Sequence, residues 1–245
     1  MFYKQPQADK ILVQHGRPTA STLPKCFTVC VWNWQKSKQK PWKDEFKQVA
    51  AAADLFLAQE VRRSPEVFEI MEKTPYHWSG AVSFFSRQNS PTGVATGCIA
   101  KPLQIAFKAG EREPLLRVPK MTLSTLIPLA DGRSLLVINV HAINFRGLKP
   151  FDTNLKRAAE LLLNYNGPVL LGGDFNAWSL KRRRLLSCMA RAAGLAEVPF
   201  EPDNRTRCLG RPVDYLFVRG LRVKAAGVRV TRGSDHNPLL VRLEA

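Results

Sequence analysis

Residues 167–178 read GPVLLGGDFNAW, and this stretch gives the clearest indication of the fold class. Its apolar run VLL predicts a buried strand of the parallel type. Two glycines end the run, and Asp174 and Asn176 follow two positions apart, so their side chains point the same way if the strand geometry persists. Asp, Asn and paired glycines are also common in turns. The alternative is a ligand site, because open α/β sheets bind ligands at the carboxyl ends of their strands.

On both sides of this stretch, segments of strand and helix character follow one another. Apolar, β-branched and aromatic runs predict strands at residues 26–34, 55–60, 80–86, 93–101, 120–130, 134–142, 211–220, 222–231 and 237–245. Helical periodicity and capping residues predict helices at residues 41–54, 64–73, 153–166 and 179–194. This mixture predicts an α/β (α+β) fold, a four-layered α/β sandwich in which two mixed β-sheets pack face to face with helices on the outside.

Length and composition set the expected domain organisation. The chain has 245 residues, 45% of them hydrophobic, and no Gly/Ser-rich or Pro-rich linker divides it. We predict a loosely ordered N-terminal segment over residues 1–24 and a single domain over residues 25–245. The N-terminal stretch lacks the apolar core of a secretory signal, and no run reaches transmembrane length. We therefore expect a soluble, cytoplasmic protein, and we expect it to be a monomer.

The charge balance predicts the kind of partner. Lys and Arg number 37 against 20 Asp and Glu, which gives a formal net charge of +17. Such an excess predicts a polyanionic partner: nucleic acid, a phosphorylated ligand or an anionic membrane surface. The five cysteines show no CxxC spacing, which argues against a disulfide framework or a zinc cluster and favours a reducing compartment.

Polar side chains stand at or just beyond the ends of the predicted strands. They are Asn33, Glu60, Asn139, His141, Asp174, Asn176, Asp214, Asp235 and His236. Each one alone has an ordinary explanation, as a loop acid, a turn former or a satisfied core histidine. Their joint placement at strand ends favours a shared site.

Six motifs, in order along the chain, resemble those of the endonuclease/exonuclease/phosphatase superfamily, the group that includes DNase I-like nucleases. They are WNW (32–34), AQE (58–60), NVH (139–141), GGDFN (172–176), VDYLF (213–217) and SDHNPL (234–239). The sequence is most similar to the bacterial YafD-like branch, through EREPLLR (111–117), HAINF (141–145), GDFNAWS (173–179) and TRGSDHNPLLV (231–241). The resemblance runs from about residue 29 to the C-terminus.

The resemblance implies a phosphodiesterase that depends on a divalent metal. Mg²⁺ prefers oxygen ligands and is usually held by one or two carboxylates together with the substrate phosphate. Glu60 is expected to be the principal ligand, with Asn33 and Asp235 nearby or coordinating through water. The expected metal is Mg²⁺, with Mn²⁺ as the alternative.

The resemblance also implies roles in catalysis. Asp174 is expected to orient or deprotonate the attacking water, and Asn176 to donate to a phosphate oxygen. Asp214 is expected to hydrogen-bond His236 and hold it as an imidazolium that faces the phosphate. His141 is expected to be a second phosphate contact or a general acid.

Basic and aromatic residues give a second group of expected substrate contacts. The run at Lys181, Arg182, Arg183 and Arg184 follows the catalytic loop and is predicted to bind a nucleic-acid strand, although solvated basic helix faces are common. Arg112, Arg117 and Lys120 form a second expected phosphate-binding set, and Trp178 is expected to stack on a base. His77 is predicted to pack or lie on the surface, and His15 receives no role.

The functions left open by the sequence fall into three classes. The first is a metal-dependent nuclease, endo or exo, on DNA or RNA, which the net charge favours. The second is a phosphatase or phosphodiesterase for a small or lipid-borne phosphate, since the same chemistry serves both. The third is a non-catalytic anion-binding protein on the same scaffold.

Overall fold

Two β-sheets stacked face to face form the centre of the molecule. The computed structural model describes residues 3–114 and 117–245, so the two leucines of the EREPLLR motif lie outside the described residues. Within those ranges the chain forms a seven-stranded sheet, a six-stranded sheet and a short two-stranded ribbon. Both large sheets are mixed, as the sequence predicts.

The seven-stranded sheet is built from both ends of the chain. Its strands are β1 (Leu12–His15), β2 (Cys26–Asn33), β3 (Leu55–Arg62), β4 (His77–Phe85), β5 (Pro91–Cys98), β14 (Arg222–Val228) and β15 (Leu239–Glu244). Their order across the sheet is β1-β4-β5-β3-β2-β15-β14. Strands β2 and β3 run parallel, and the other neighbours are antiparallel.

The six-stranded sheet comes mainly from the middle of the chain. Its strands are β6 (Gln104–Arg112), β7 (Pro119–Pro128), β8 (Ser134–His141), β9 (Val169–Asp174), β10 (Ala196–Glu197) and β13 (Asp214–Arg219). Their order is β10-β13-β9-β8-β7-β6, with β8 and β9 parallel. The two-stranded ribbon pairs β11 (Arg207–Cys208) with β12 (Arg211–Pro212).

Four α-helices in the described ranges cover the outer faces of the two sheets. They are α1 (Trp42–Ala51), α2 (Pro65–Glu72), α3 (Leu148–Glu160) and α4 (Leu180–Ala192). Helices α1 and α2 pack on the seven-stranded sheet, and α3 and α4 pack on the six-stranded sheet. Short 3-10 helices occur at Ala8–Lys10 and Gln35–Ser37. The predicted four-layered sandwich is therefore confirmed.

Side-chain alternation along the strands produces three separate apolar layers. In β2, Val29 and Val31 face the other sheet, whereas Cys30 and Trp32 face helix α1. A strand that is buried on both faces reads as a continuous apolar run, because its period-2 pattern has no solvent side. This is why CFTVCVWN contains so few polar residues.

The paired glycines of the central stretch allow close packing around β9. At Gly173, where φ is +141°, an added Cβ would lie 1.9 Å from the carbonyl oxygen of Val140. At Gly172 an added Cβ would meet Leu216 at 2.8 Å and Leu57, in the opposite sheet, at 3.3 Å. The glycines are therefore required by backbone approach and sheet packing, which brings the end of β9 close to the neighbouring strands.

Several elements differ from the sequence predictions. In residues 3–24, the described part of the segment expected to be loosely ordered, β1 pairs with β4 and Leu23 is fully buried between the sheets. Strand β6 was not predicted, since polar and small residues interrupt its apolar pattern. Helix α3 begins at Leu148 rather than at residue 153.

The strands predicted as successive antiparallel neighbours in the middle of the chain are divided between the two large sheets. Strands β4 and β5 pair in one sheet, and β7 and β8 pair in the other. None of the helices in residues 3–114 and 117–245 is both long and apolar enough to cross a membrane.

Candidate active site

A pocket of about 250 Å³ opens where β2 and β3 of one sheet end beside β8 and β9 of the other. Its wall contains most of the polar residues selected from the sequence: Asn33, Glu60, Lys120, His141, Asp174, Asn176, Asp235 and His236. The fold therefore brings residues that lie more than two hundred positions apart into one site. Asp214 lies behind this wall, in contact with His236.

Strand register places three of these residues in one row. Asp174, at the end of β9, is paired with His141 in parallel β8 and with Asp214 in antiparallel β13. The Asp174 carboxylate lies 3.6 Å from Nε2 of His141. Because a one-residue slip would turn these side chains to the other face of the sheet, the apolar pattern of the strands also fixes the site.

Asp174 is buried and is held from two directions. Asn33 donates from Nδ2 to its Oδ2 at 3.1 Å, and the backbone N–H of Asn176 donates to its Oδ1 at 3.0 Å. Burial raises the pKa of Asp174 to about 6. The positive charge of His236 opposes this increase, and the negative charge of Asp214 adds to it. A carboxylate of this basicity is suited to accept a proton near neutral pH.

The partly exposed His236 and the buried Asp214 form a charged pair. Nδ1 of His236 lies 2.8 Å from Oδ2 of Asp214. Burial lowers the pKa of His236, but the charge of Asp214 and the hydrogen bond to it outweigh burial and raise the pKa to about 10. At neutral pH the imidazole is therefore protonated, and its other nitrogen can donate to an anion in the pocket.

The SDH segment that carries His236 is fixed to the seven-stranded sheet. Nε1 of Trp32 donates to the carbonyl oxygen of His236 at 2.8 Å, and Oγ of Ser234 donates to the carbonyl oxygen of Asn33 at 2.7 Å. These bonds hold His236 at the end of β2 before β15 begins. Asp235, beside it, is exposed and lines the pocket.

Glu60 reaches the pocket because β3 is irregular at this point. The pairing of β3 with β5 shifts register between Ala58 and Val61, and Glu60 itself has φ of +52°. A bulge of this kind commonly redirects a side chain beside a functional site. Burial would raise the pKa of Glu60, but its electrostatic interactions with His141, Lys120 and Lys36 outweigh burial and lower the pKa to about 2. The side chain is therefore an anion at neutral pH.

Lys36 lines the pocket although no motif of the sequence indicates it. Its Nζ lies 2.8 Å from Oε2 of Glu60, and the three residues Gln35, Lys36 and Ser37 all have positive φ. This left-handed turn directs the ammonium group back into the pocket. The segment QKSKQK reads as an ordinary solvated basic loop, so the sequence carries no signal for this contact.

His141 is buried within a basic and acidic cluster. Nζ of Lys120 donates to its Nε2 at 2.7 Å, and Lys120 also pairs with Glu113 at 3.2 Å. Burial and then the charge of Lys120 lower the pKa of His141 well below its usual value. A neutral imidazole whose Nε2 accepts a hydrogen bond from Lys120 has no proton to donate from that nitrogen, and the expected role of His141 as a phosphate contact or general acid stays a prediction.

Asn176 lines the pocket in a left-handed conformation. Its φ is +50°, and its Nδ2 donates to the carbonyl oxygen of Ala142 at 3.1 Å. One amide proton remains for the predicted contact with a phosphate oxygen. The positive φ also explains why Asn stands here, since Asn adopts this conformation more readily than most residues.

The residues at one side of the pocket fit a hard divalent cation. Glu60, Asn33 and Asp235 each offer a side-chain oxygen atom, and Glu60 is ionised at neutral pH. Asp174, Asp214 and His236 also lie close enough together to surround an ion. That second group fits less well, because His236 is protonated and a protonated imidazole has no lone pair for a metal.

The basic run after the catalytic loop serves the fold more than the pocket. Arg182 is only 1% exposed and donates to the carbonyl oxygens of Ile143, Asn176 and Arg146 at 2.8, 2.9 and 2.8 Å. Arg183 pairs with Glu197. The burial of Arg182 corrects the prediction that its side chain binds substrate, whereas substrate binding by the partly buried Arg183 stays a prediction.

Two exposed residues complete the basic run. Lys181 and Arg184 extend from α4 into solvent, outside the pocket wall. They remain available to a long anionic substrate.

Trp178 and the two remaining predicted arginines lie near the pocket but outside its wall. Nε1 of Trp178 donates to Oδ1 of Asn144 at 2.9 Å, and its ring stacks on Arg182, whose Cζ is 4.7 Å from the ring centre. The guanidinium of Arg182 thus covers one face of the ring, and the base-stacking role of Trp178 stays a prediction. Arg112 and Arg117 line a separate surface depression next to Arg146.

The two histidines outside the motifs have local partners. His77 is buried, and its Nε2 lies 2.9 Å from Oε1 of Gln14. Nδ1 of His15 lies 2.6 Å from Oε1 of Glu72, so a residue of the predicted loose segment is tied to helix α2. Neither histidine lines the pocket.

Comparison with known proteins agrees with this geometry. The sequence profile of the Endonuclease/Exonuclease/phosphatase family matches residues 30–236. A UPF0294 protein of Yersinia pseudotuberculosis is 40% identical over 232 residues, covering 94% of this chain and 88% of that protein. The chain belongs to the endonuclease/exonuclease/phosphatase family, and its bacterial relatives lie in the YafD-like branch that the motifs indicate.

Solved structures show the same fold at low sequence identity. An endonuclease/exonuclease/phosphatase family protein from Leptotrichia buccalis gives a TM-score of 0.71 at 16% identity, covering 89% of this chain and 100% of that one. ANGEL2, described as a 2′,3′-cyclic phosphatase, gives a TM-score of 0.68 at 17% identity and covers 97% and 99%. The family acts hydrolytically on phosphate esters and includes both nucleases and phosphatases.

Proposed function

We propose that this protein hydrolyses phosphodiester bonds of nucleic acid with the help of a divalent cation. The observation that carries the proposal is the pairing of Asp174, a buried carboxylate with a pKa of about 6, with His236, an imidazolium with a pKa of about 10, in one pocket. A base and a fixed cation side by side suit attack by water on phosphorus. The net charge of +17 supports a polymeric anion as substrate.

In this proposal Asp174 acts on the water and His236 acts on the phosphate. Asp174 accepts a proton as the oxygen of water forms a bond to phosphorus, and the ester bond to the leaving oxygen breaks. His236 donates to a non-bridging oxygen whose negative charge increases in the transition state, and Asn176 and Lys120 contribute further donors. Asp214 holds His236 in its charged form. The leaving oxygen takes a proton from solvent.

The metal would be held by side-chain oxygen atoms of the pocket wall. Glu60, Asn33 and Asp235 are the proposed ligands, and Mg²⁺ or Mn²⁺ bound there would neutralise charge on the phosphate oxygens. The ammonium group of Lys36 is hydrogen-bonded to the carboxylate of Glu60, and we expect this bond to break when a metal ion binds to Glu60.

The volume of the pocket also supports a second candidate function, a phosphatase for a small phosphate ester. At about 250 Å³ the pocket is below the usual volume of sites that enclose a whole organic ligand. It can hold a phosphate group with a small substituent, or a single phosphodiester of a polymer whose flanks lie outside. Assays with polymeric and with small phosphate substrates distinguish the phosphatase from the nuclease.

The test measures hydrolysis of single-stranded DNA, RNA, supercoiled plasmid, a small phosphodiester and a small phosphomonoester, each with Mg²⁺, with Mn²⁺ and with chelator. We expect cleavage of nucleic acid only with metal. Turnover of the monoester alone would support the second candidate. Binding of nucleic acid without hydrolysis of any substrate would instead support an anion-binding protein.

The variant Glu60→Gln tests the metal site separately. Removing the anion should weaken Mn²⁺ binding, measured by calorimetry, by at least about tenfold, because the carboxylate is the strongest attraction for the ion. Glu69→Gln, on the exposed face of α2 and paired with Lys73, is the matched control and should bind Mn²⁺ like the wild type. Equal affinity in Glu60→Gln and the wild type would contradict the proposed ligand.

A further inference from the structure

Phe145, at the rim of the pocket, is an exposed aromatic side chain with no role in the chemistry described above. It is 75% exposed and lines the same pocket as Glu60, Asp174 and His236. Single exposed apolar residues are common on protein surfaces. Two further observations separate Phe145 from that ordinary case.

The first observation is the backbone. Phe145 has φ of +44°, a conformation that is rare and costly for a bulky residue other than glycine. Its N–H donates to Oδ1 of Asn144 at 2.9 Å, and the same oxygen accepts the indole N–H of Trp178. The strained conformation that displays the ring is therefore stabilised by its neighbours.

The second observation is the buried guanidinium of Arg182. It donates to the carbonyl oxygens of Ile143 and Arg146, one on each side of the Asn144–Phe145 pair, and to that of Asn176 in the catalytic loop. Arg182 thus ties the segment that displays Phe145 to the loop that follows Asp174. Strain of this kind persists only where the surrounding structure over-determines it, and it is common at ligand sites.

The surroundings of the ring point to a ligand that is both flat and anionic. Lys120 lines the pocket on one side, and Arg112, Arg117 and Arg146 line a depression beside it. Base–aromatic stacking next to basic side chains is the usual way in which proteins bind single-stranded nucleic acid.

We propose that Phe145 binds substrate by stacking on an unpaired nucleobase next to the scissile phosphate, so that the preferred substrate is single-stranded nucleic acid. This inference rests on the proposed function and specifies its substrate. A duplex does not present the face of an internal base, so the stacking requires an unpaired or frayed strand.

An anionic membrane is the other surface that could cover this region, because Leu148 and Leu180 are also exposed nearby on α3 and α4. The pocket wall around Phe145 argues against it. Asn144 and the carboxylate of Glu113 line the pocket with the ring, and insertion into a bilayer would bring these polar groups against lipid. The observations therefore favour the nucleobase.

The test uses a short single-stranded DNA that carries one 2-aminopurine, whose fluorescence falls when the base stacks, with chelator present so that no metal-dependent cleavage occurs. A matched strand has abasic spacers in place of its bases. We expect the wild type to bind the strand with bases about tenfold more tightly than the spacer strand and to quench 2-aminopurine. Phe145→Ala should lose both the preference and the quenching, and Phe145→Trp should retain them.

Phe68→Ala is the matched control, because Phe68 is an exposed aromatic on α2 outside the pocket. It should bind both strands like the wild type. Thermal unfolding of Phe145→Ala should match the wild type, since the ring is exposed.

Three outcomes would overturn the inference: no binding of the strand by the wild type, equal quenching in Phe145→Ala, or a Phe145-dependent affinity for anionic vesicles with none for DNA. Stacking without metal-dependent hydrolysis in the parallel assay would remove the proposed function and leave Phe145 as a base-binding residue.

Discussion

At the scale of single residues, the pocket keeps two ionisable groups in opposite charge states. Burial raises the pKa of Asp174 to about 6, and the charge of Asp214 raises that of His236, against burial, to about 10. Asp174 acts as a base only when deprotonated, and His236 binds an anion best when protonated. Activity should therefore rise as the pH passes 6 and fall as it approaches 10.

The variant Asp214→Asn tests the alkaline limb of this profile. It removes the charge that raises the pKa of His236, so the fall in kcat/KM should move to lower pH by about one unit or more. The pH–rate profile of the variant is the measurement. Asp131→Asn, a surface carboxylate paired with Arg133, should leave the profile unchanged. An unshifted alkaline limb in Asp214→Asn would show that His236 does not depend on Asp214.

The site residues differ in how far sequence could predict them. Asp174 and His236 lie in motifs at strand ends, so strand periodicity and family resemblance both indicate them. Lys36 enters the pocket only because its turn is left-handed, and a lysine in a polar loop gives no such signal. Phe145 ends the HAINF motif, which shares His141 with the NVH motif. An aromatic residue inside a motif so close to the site is a sequence signal for a role at the pocket.

At the scale of elements, Arg182 connects helix α4 to the two loops that follow β8 and β9. Arg182→Met would leave the buried carbonyl oxygens of Ile143 and Asn176 and the partly buried one of Arg146 without their donor, and we expect the free energy of unfolding to fall by more than about 2 kcal/mol. Urea denaturation measures this change. The chain offers a close control in Arg184→Met, because Arg184 is exposed on the same helix and should change stability by less than about 0.5 kcal/mol.

Similar stability of the two variants would contradict the structural role of Arg182 and return it to the group of substrate-binding residues. The misassignment from sequence has a physical cause. A run of four basic residues on a helix has the same composition whether one of them faces inward or none does. Only the position of the helix against the two loops shows that Arg182 faces the core.

The other elements show the same division between pattern and position. Strands such as β2, β8 and β9 were predicted because apolar side chains fill both faces. Strand β6 lies at the edge of its sheet and is polar enough to resemble a loop. Strand β1 is short, and its pairing with β4 depends on a contact between distant segments that local sequence does not encode.

At the scale of the whole molecule, the site exists only because the two sheets meet. Asn33 and Glu60 come from the seven-stranded sheet, whereas His141, Asp174 and Asp214 come from the six-stranded sheet. The hydrogen bond from Asn33 to Asp174 crosses between them at 3.1 Å. Proposed metal ligands and proposed catalytic residues are thus held against each other by the apolar layer between the sheets.

The most direct test of this account is the single-turnover rate of cleavage of single-stranded DNA by Asp174→Asn, measured with Mg²⁺ at pH 8. We predict a rate about 10³-fold below that of the wild type with DNA affinity retained, because the substitution removes the base while the amide keeps the size of the side chain. A rate within about tenfold of the wild type would contradict it, since general-base catalysis contributes at least about 10²-fold.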